Sequence, residues 1–131
     1  GLRSPDALRN FAKHAVQSKI SLMRLLCELK LKGARIAALG APARGNSLLN
    51  FVRIGPELVD YACEKTGSPK IGLFTPGTHI PIVDEKKLFE EQPEYLLLLS
   101  WHIGEELIEK MRRLGYKGSY IIPLPEPRLV R

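Results

Sequence analysis

The stretch Arg35-Ile-Ala-Ala-Leu-Gly-Ala-Pro-Ala-Arg-Gly-Asn46 decides the fold that the sequence predicts. It begins with a short apolar run that ends at Gly40, and this pattern is typical of a strand buried in a parallel sheet. The segment that follows, residues 46–54, has apolar side chains at helical spacing and predicts a helix that Gly55-Pro56 ends. A buried strand, a tight turn and a helix in succession form the repeating unit of an alternating α/β fold.

A long helix is predicted before this strand. Ser4-Pro5-Asp6 provides a side-chain cap, a proline at the first helical position and an acid in the first turn, and Gly33 ends the helix. The side chains predicted to face inward recur at the helical period and are Leu8, Phe11, Ala12, Ala15, Val16, Met23, Leu26 and Cys27.

The rest of the sequence continues the alternation. Strands are predicted at 58–64, 80–83, 95–100 and 119–122, and helices at 84–92 and 103–114. Glycines and prolines predict a long loop at 65–79, and Pro123, Pro125 and Pro127 are expected to end regular structure. The predicted fold class is α/β: a Rossmann-like three-layer sandwich with a mostly parallel sheet and a long N-terminal helix, in one domain over 1–131.

The net charge is +6, and all of it lies in the first 35 residues, which hold eight basic side chains, among them Arg3, and two acidic ones. A solvated face of the long helix explains this charge better than a nucleic-acid surface, because no aromatic platform or zinc finger accompanies it. The longest apolar run is far shorter than the ~20 residues that cross a membrane. Two cysteines predict no disulfide framework. We expect a cytoplasmic protein with no nucleic-acid and no membrane partner.

Residues 40–46, the glycine loop, are the first candidate binding site, because open parallel sheets bind ligands beyond the carboxyl ends of their strands. Gly40 and Gly45 match the first and third glycines of a dinucleotide fingerprint, but Pro42 replaces the second and cannot donate an N–H. The N–H groups of Gly45 and Asn46 could still bind an anion at a helix N-terminus, with Arg44 adding positive charge. A tight turn without a ligand is the equal alternative.

Further candidates lie at other strand ends and in the long loop. Glu64 ends a strand where dinucleotide folds place an acid on ribose hydroxyls. His79 lies in a loop restricted by proline and glycine, where it could bind a phosphate, act as a general base or be structural. Trp101 and His102 follow the most buried strand, and they either line a pocket or serve as a core residue and a helix cap.

The segment Pro125-Glu126-Pro127-Arg128 is rigid and charged, and it either lines a site or forms an inert tail. No catalytic constellation is complete, since the sequence holds no nucleophile elbow, no CxxC and no HExxH. The three histidines are isolated from one another, so no metal site is predicted. The catalytic residues of any reaction are therefore not identified in this chain.

Four segments then occur together in a specific order: the glycine loop with Leu48-Leu49-Asn50, Pro76-Gly-Thr-His-Ile-Pro81, residues 96–101, and Ile122-Pro-Leu-Pro-Glu-Pro-Arg128. Together they resemble the C-terminal domain of the S-adenosylmethionine (SAM)-dependent sugar C-methyltransferase family, over nearly the whole chain. Enzymes of that family methylate a carbon of nucleotide-linked deoxyketosugars. The resemblance implies that this chain, which begins without Met, is the C-terminal domain of a longer methyltransferase.

The resemblance also implies which domain of the protein binds which ligand. SAM is expected in a separate middle domain and zinc in a cysteine-rich N-terminal region, with no cofactor in this domain. Both missing domains and a nucleotide-sugar substrate are the expected partners. The implied chemistry removes a proton beside a ketone and transfers the SAM methyl group to the resulting enolate carbon, with the base on the SAM domain. This sequence departs from the family at His102, where Asn is common, and it retains a cation at Lys70.

The residues expected to contact the substrate are Gly40, Pro42, Arg44, Gly45, Asn46, Asn50, Glu64, Lys70, His79, Trp101, His102, Glu126 and Arg128. The preferred function is a substrate-side domain that does not itself bind SAM and is inactive alone. One alternative is a nucleotide- or dinucleotide-binding module without transfer chemistry. Another is a scaffold domain whose glycine loop is only a turn.

Overall fold

Six strands form one sheet in the computed structural model, which describes residues 4–131. The strands are β1 (Ile36–Leu39), β2 (Tyr61–Glu64), β3 (Ile82–Asp84), β4 (Tyr95–Leu98), β5 (Ser119–Ile122) and β6 (Arg128–Val130). Their order across the sheet is β3-β2-β1-β4-β5-β6, in which β1 to β5 run parallel and β6 pairs antiparallel with β5. Arg3, counted above in the basic segment, lies outside the described residues.

Helices cover both faces of the sheet. They are α1 (Pro5–Leu31), α2 (Ala43–Val52), α3 (Glu85–Glu91) and α4 (Gly104–Leu114). α1 and α2 share a hydrophobic core with Ile36 and Ala38 of β1, whereas α3 and α4 share a second core with Ala37. Alternate side chains of a strand point to opposite faces, so β1 is buried on both sides. The predicted α/β sandwich, with its mostly parallel sheet and long N-terminal helix, is confirmed.

Two predicted boundaries near prolines are wrong. α2 begins at Ala43 rather than Asn46, because Pro42 caps the helix in an extended conformation (φ −72°, ψ 161°). Regular structure also continues after the C-terminal prolines, where Arg128–Val130 forms β6 at the edge of the sheet. Proline is tolerated beside an edge strand, and none of the three paired residues is a proline.

Other elements are shorter than the sequence predicted. β2 begins at Tyr61 rather than at 58, because the carbonyl oxygen of Gly55 accepts hydrogen bonds from the N–H groups of Leu58 and Val59 in a turn. A single 3-10 turn at Trp101–Ile103 precedes α4. These turns set the direction in which the chain enters β2 and leaves β4.

The N-terminal half of α1 leaves apolar side chains in solvent. Leu8, Phe11 and Val16 are 54%, 66% and 50% exposed, so the prediction that they face inward is wrong. A helix of 27 residues is about 40 Å long, whereas a strand of four residues spans about 13 Å, so α1 is much longer than the strands it covers. Its buried residues lie in the C-terminal half and are Leu22, Leu26 and Leu29. No helix within residues 4–131 is both long and apolar enough to cross a membrane.

An ion pair joins the amino ends of β1 and β4. Glu94 Oε1 accepts hydrogen bonds from the Arg35 backbone N–H (2.7 Å) and Nε (3.1 Å), and Glu94 Oε2 accepts one from Arg35 Nη2 (2.6 Å). The guanidinium also donates to the carbonyl oxygens of Glu91 and Gln92 at the end of α3. Hydrogen bonds from the Arg35 side chain and backbone lower the pKa of Glu94 from 4.5 to about 2. This pair therefore fixes the α3–β4 connection against β1.

We predict that Glu94→Gln lowers the free energy of unfolding at neutral pH by about 1 kcal/mol, because charge-assisted hydrogen bonds are lost at a half-exposed site. The carboxyl pKa is lower in the folded state, so the stabilisation is present above about pH 5 and is lost as the pH falls from 4.5 towards about 2. Urea unfolding at several pH values measures this difference. Glu90→Gln, the same change at an exposed residue, is the control. An effect of Glu94→Gln that persists undiminished at pH 2 contradicts the assignment.

Candidate functional site

The carboxyl ends of β1, β2 and β4 meet at one edge of the sheet. The helix that follows β1 and the helix that follows β4 cover opposite faces, which makes this edge a topological switch point. Open parallel sheets bind ligands in the crevice at such a point. A cavity of about 150 Å³, the switch-point cavity, lies there and is lined by Leu39, Gly40, Cys63, Glu64, Lys65, Glu85, Ser100, Leu107, Lys110 and Met111.

Glu64 and Lys70 hold the glycine loop through the backbone of Ala41. Glu64 Oε1 accepts a hydrogen bond from the Ala41 N–H at 3.2 Å, and Lys70 Nζ donates to the Ala41 carbonyl oxygen at 2.9 Å. The two charged side chains are 3.8 Å apart, measured from Nζ to Oε1. Gly40 adopts a positive φ of 77° and its N–H donates to the Cys63 carbonyl oxygen at 2.8 Å. Glu64, expected to meet a ribose, thus contacts the loop of its own chain.

The first turn of α2 offers fewer donors than the sequence predicted. The Asn46 N–H donates to the Pro42 carbonyl oxygen at 2.9 Å, so the expectation that this N–H binds an anion is wrong. Arg44 is exposed and forms no ion pair within residues 4–131. Asn46 Oδ1 is buried without a hydrogen-bond partner among the described residues. Arg44 therefore places an exposed positive charge at this turn.

Gly45 is required by the packing of α2 against the sheet. A Cβ atom at this position would lie 2.6 Å from Leu99 Cβ and 3.2 Å from Pro42 Cγ. Close approach of helix and strand is the role of the third glycine in a dinucleotide fingerprint. The structure therefore gives Gly45 a packing role, which requires no ligand.

Hydrogen bonds from Asn50 connect α2 to the loop that contains His79. Asn50 Nδ2 donates to the carbonyl oxygens of Asn46 (2.9 Å) and Pro76 (3.0 Å). Within the loop, the His79 N–H donates to the Thr75 carbonyl oxygen at 2.9 Å, and His79 has a positive φ of 58°. The buried Thr75 hydroxyl accepts from the Ile80 N–H at 2.9 Å. Thus His79 is exposed on a loop that internal hydrogen bonds keep in one shape.

Trp101 and His102 lie beside the carboxyl ends of β4 and β5. Trp101 is half-buried and packs against both hydrophobic cores, as expected of a core residue. The His102 ring contacts the Trp101 ring edge-on, with centroids 6.3 Å apart. Both residues, together with Arg128, line a cleft of about 260 Å³. None of residues 40–46 lines this cleft, so it is separate from the glycine loop.

A wider groove of about 1160 Å³ runs between α1 and the C-terminal prolines. His14, Glu126 and Arg128 line it, and Ser18 Oγ donates to the Pro125 carbonyl oxygen at 3.2 Å across it. The segment is therefore packed beside α1, and Arg128 borders this groove as well as the cleft beside Trp101.

The predicted contact residues form three groups rather than one pocket. Gly40, Pro42, Glu64 and Lys70 meet at the glycine loop. Arg44, Gly45, Asn46, Asn50 and His79 lie on α2 and the loop fastened to it. Trp101, His102, Glu126 and Arg128 line the cleft and the groove.

Sequence reasoning missed Lys65 and Lys110, which line the switch-point cavity. Lys65 directly follows Glu64, which is predicted to end a strand, and this position marks it as a candidate binding residue. Lys110 lies within α4, and no sequence motif marks it.

The buried thiol of the switch-point cavity is not a nucleophile. Burial, with nearby Glu85 and Glu64, raises the pKa of Cys63 to about 12, and the thiol contacts the Ala38 carbonyl oxygen at 3.3 Å. Thiolates rather than thiols are reactive, so Cys63 stays inert at neutral pH. Within residues 4–131, no three His, Cys, Asp or Glu side chains converge in a way that could hold a metal ion.

Comparison with known proteins identifies relatives of this chain. Residues 1–125 match the model of a family described as C-methyltransferase C-terminal domain. The chain is also similar to C-methyltransferase NovU of Streptomyces niveus, with 30% identity over 131 residues. That similarity covers 99% of this chain and 31% of NovU, so the chain spans about a third of the length of the curated relative it matches.

We predict that Gly45→Ala lowers the free energy of unfolding by about 1–3 kcal/mol, because the added methyl group overlaps Leu99 and forces α2 away from the sheet. Gly104→Ala is the matched control, since the nearest atom to a Cβ there is the side-chain Ile122 Cδ1 at 3.4 Å, an ordinary van der Waals distance. Chemical denaturation measures both variants. Equal stability of the two variants would contradict the packing role of Gly45.

We predict that Asn50→Asp loosens the loop at Thr75 and His79, because a carboxylate cannot donate to the Pro76 carbonyl oxygen. Amide hydrogen exchange at His79 is expected to accelerate about tenfold, which corresponds to the loss of one hydrogen bond. Ser47→Ala is the control, because the Ser47 hydroxyl donates only within α2, to the Ala43 carbonyl oxygen. Unchanged exchange in Asn50→Asp means that this hydrogen bond does not fix the loop.

Proposed function

This chain belongs to the C-methyltransferase C-terminal domain family, and we propose that it is the substrate-side domain of a SAM-dependent C-methyltransferase. The proposed substrate is a nucleotide-linked sugar or a similar molecule, methylated at a carbon beside a ketone. In this proposal, SAM binds another domain of the same protein, and this chain binds and encloses the substrate. The chain alone is then expected to be inactive.

One observation supports placing SAM in another domain: the glycine loop is hydrogen-bonded to other residues of this chain. A nucleotide cofactor on an open parallel sheet needs free backbone N–H groups in the first strand–helix turn and a free acid at the end of the next strand. Here the Ala41 N–H donates a hydrogen bond to Glu64 Oε1 at 3.2 Å, and Pro42 has no N–H. These residues do not fit a cofactor held in the Rossmann manner, which supports placing SAM elsewhere.

The length of the matched relative supports further domains. The similarity covers 31% of NovU, which leaves room in such a protein for SAM-binding and zinc-binding domains. We propose these two domains as the partners of this chain and place the catalytic base on the SAM-binding one. The exposed apolar side chains of α1, such as Phe11 and Ile20, are suited to contact with them.

Arg44 and His79 are the residues best placed to meet the substrate on the α2 face. Arg44 is a cation without an ion pair within residues 4–131, in the first turn of a helix, where anions are stabilised. His79 is exposed on a loop that Asn50 fastens to the same helix. We propose that Arg44 contacts a substrate phosphate and that His79 shapes the pocket beside it.

The test is a titration of the 131-residue chain with TDP, SAM and NAD in separate experiments, followed by backbone amide NMR. TDP is expected to shift the amides of the glycine loop and His79, because the nucleotide belongs to the substrate. Arg44→Gln is expected to weaken TDP binding about fivefold, as for loss of one partly screened charge contact. Arg53→Gln, the same change at the other end of α2, is the control and is expected to bind TDP normally.

The other outcomes point to different functions. Saturable SAM binding at the glycine loop would overturn the assignment of SAM to another domain. Binding of NAD without TDP would favour a dinucleotide module. No response of the glycine loop or His79 to any ligand would favour a scaffold domain.

A further inference from the structure

A pocket of about 170 Å³, which we call the helix pocket, lies between α1 and α2. The residues that line it are Ala15, Ser18, Lys19, Leu22, Leu48, Phe51, Val52 and Leu124. Two of the α1 residues, Ala15 and Ser18, have small side chains. The side chains of the two helices therefore leave this volume open.

The interior of the helix pocket is apolar. Leu22, Leu48 and Val52 are only 1%, 6% and 1% exposed, and all three belong to the first hydrophobic core. The Ser18 hydroxyl is engaged outside this core, because it donates to the Pro125 carbonyl oxygen at 3.2 Å. Apolar cavities of roughly 150 Å³ take up a benzene molecule. The helix pocket therefore has a size and a lining that suit one hydrocarbon ring.

A positive charge borders this apolar volume. The Lys19 side chain is half-buried, and its Nζ lies 5.4 Å from the centroid of the Phe51 ring. Lys19 forms no ion pair with a carboxylate within residues 4–131. None of the residues that line the helix pocket is acidic. A ligand with a negative substituent is therefore favoured there over one with a positive substituent.

We propose that the helix pocket binds a small apolar carboxylate. The hydrocarbon part lies among Leu22, Leu48 and Val52, and the carboxylate lies beside the Lys19 ammonium group, which donates a hydrogen bond to it. The ligand class is an ionised carboxylic acid whose hydrocarbon part is a single ring or a short branched chain, because the volume holds about one ring.

This site is separate from the substrate surface of the proposed function. Arg44, Asn50 and His79 do not line the helix pocket. Binding there does not depend on a nucleotide or on methyl transfer, so either proposal can fail while the other holds.

The experiment is a titration of the 131-residue chain with benzoate, benzyl alcohol and benzylamine at neutral pH and constant ionic strength, followed by methyl NMR. The three probes share a phenyl ring and are anionic, neutral and cationic at this pH. Saturable shifts are expected at the methyl groups of Leu22, Leu48 and Val52. Benzoate is expected to bind most tightly and benzylamine most weakly.

Variants of Lys19 test the charge. Lys19→Gln is expected to weaken benzoate binding about fivefold, as for loss of one partly screened charge contact, and to leave benzyl alcohol binding unchanged. Lys19→Arg keeps the charge and is expected to retain the preference for benzoate. Lys13→Gln, the same change at an exposed residue of α1, is the control. Equal binding of benzoate and benzyl alcohol to the unmodified chain would overturn the carboxylate site.

A variant of Ala15 tests the volume. Ala15→Leu is expected to weaken binding of all three probes about tenfold or more, because the added methyl groups occupy the space that the ring needs. Ala12→Leu, the same change at an exposed residue of α1 outside the helix pocket, is expected to bind them normally. Thermal unfolding without ligand establishes that each variant is folded. Shifts that do not saturate, or equal weakening by Ala12→Leu, would overturn the site.

Discussion

The burial of β1 on both faces is the constraint on which the rest of the structure depends. Ala37 and Ala38 are fully buried, and their small side chains let helices approach the centre of the sheet from either side. β1 also pairs with both β2 and β4, so it defines the switch point where the strand order reverses. The glycine loop and the switch-point cavity both lie at the carboxyl end of this strand.

Two carboxylates bond the backbone at opposite ends of β1. Glu94 engages Arg35 at the amino end of the sheet, and Glu64 engages the Ala41 N–H at the carboxyl end. Each carboxylate is satisfied within the protein. The sheet and the polar groups at its carboxyl edge are therefore set by different features, because the fold depends on strand burial whereas the edge depends on which donors and acceptors bond each other.

Two charged surfaces result at one edge of the sheet. Arg44 and His79 belong to the face covered by α2, where Asn50 joins the helix to the long loop. Lys65 and Lys110 belong to the switch-point cavity on the face covered by α4. Arg44 and His79 belong to sequence motifs, since they lie in a turn and a loop with distinctive composition. The lysines of the second surface are ordinary residues, and only the packing of α4 beside β2 brings them together.

The sequence alone determined the alternation of strands and helices, the parallel sheet and the family resemblance, because hydrophobic periodicity and glycine-proline turns are local signals. Tertiary structure decided what local signals cannot encode. Phe11 follows the helical period and yet is exposed, because α1 is longer than the strands it covers. Gly45 has the spacing of a ligand loop and yet packs on Leu99, and Lys110 lines the same cavity as Lys65 from a distant helix, because both arrangements depend on how elements meet in space.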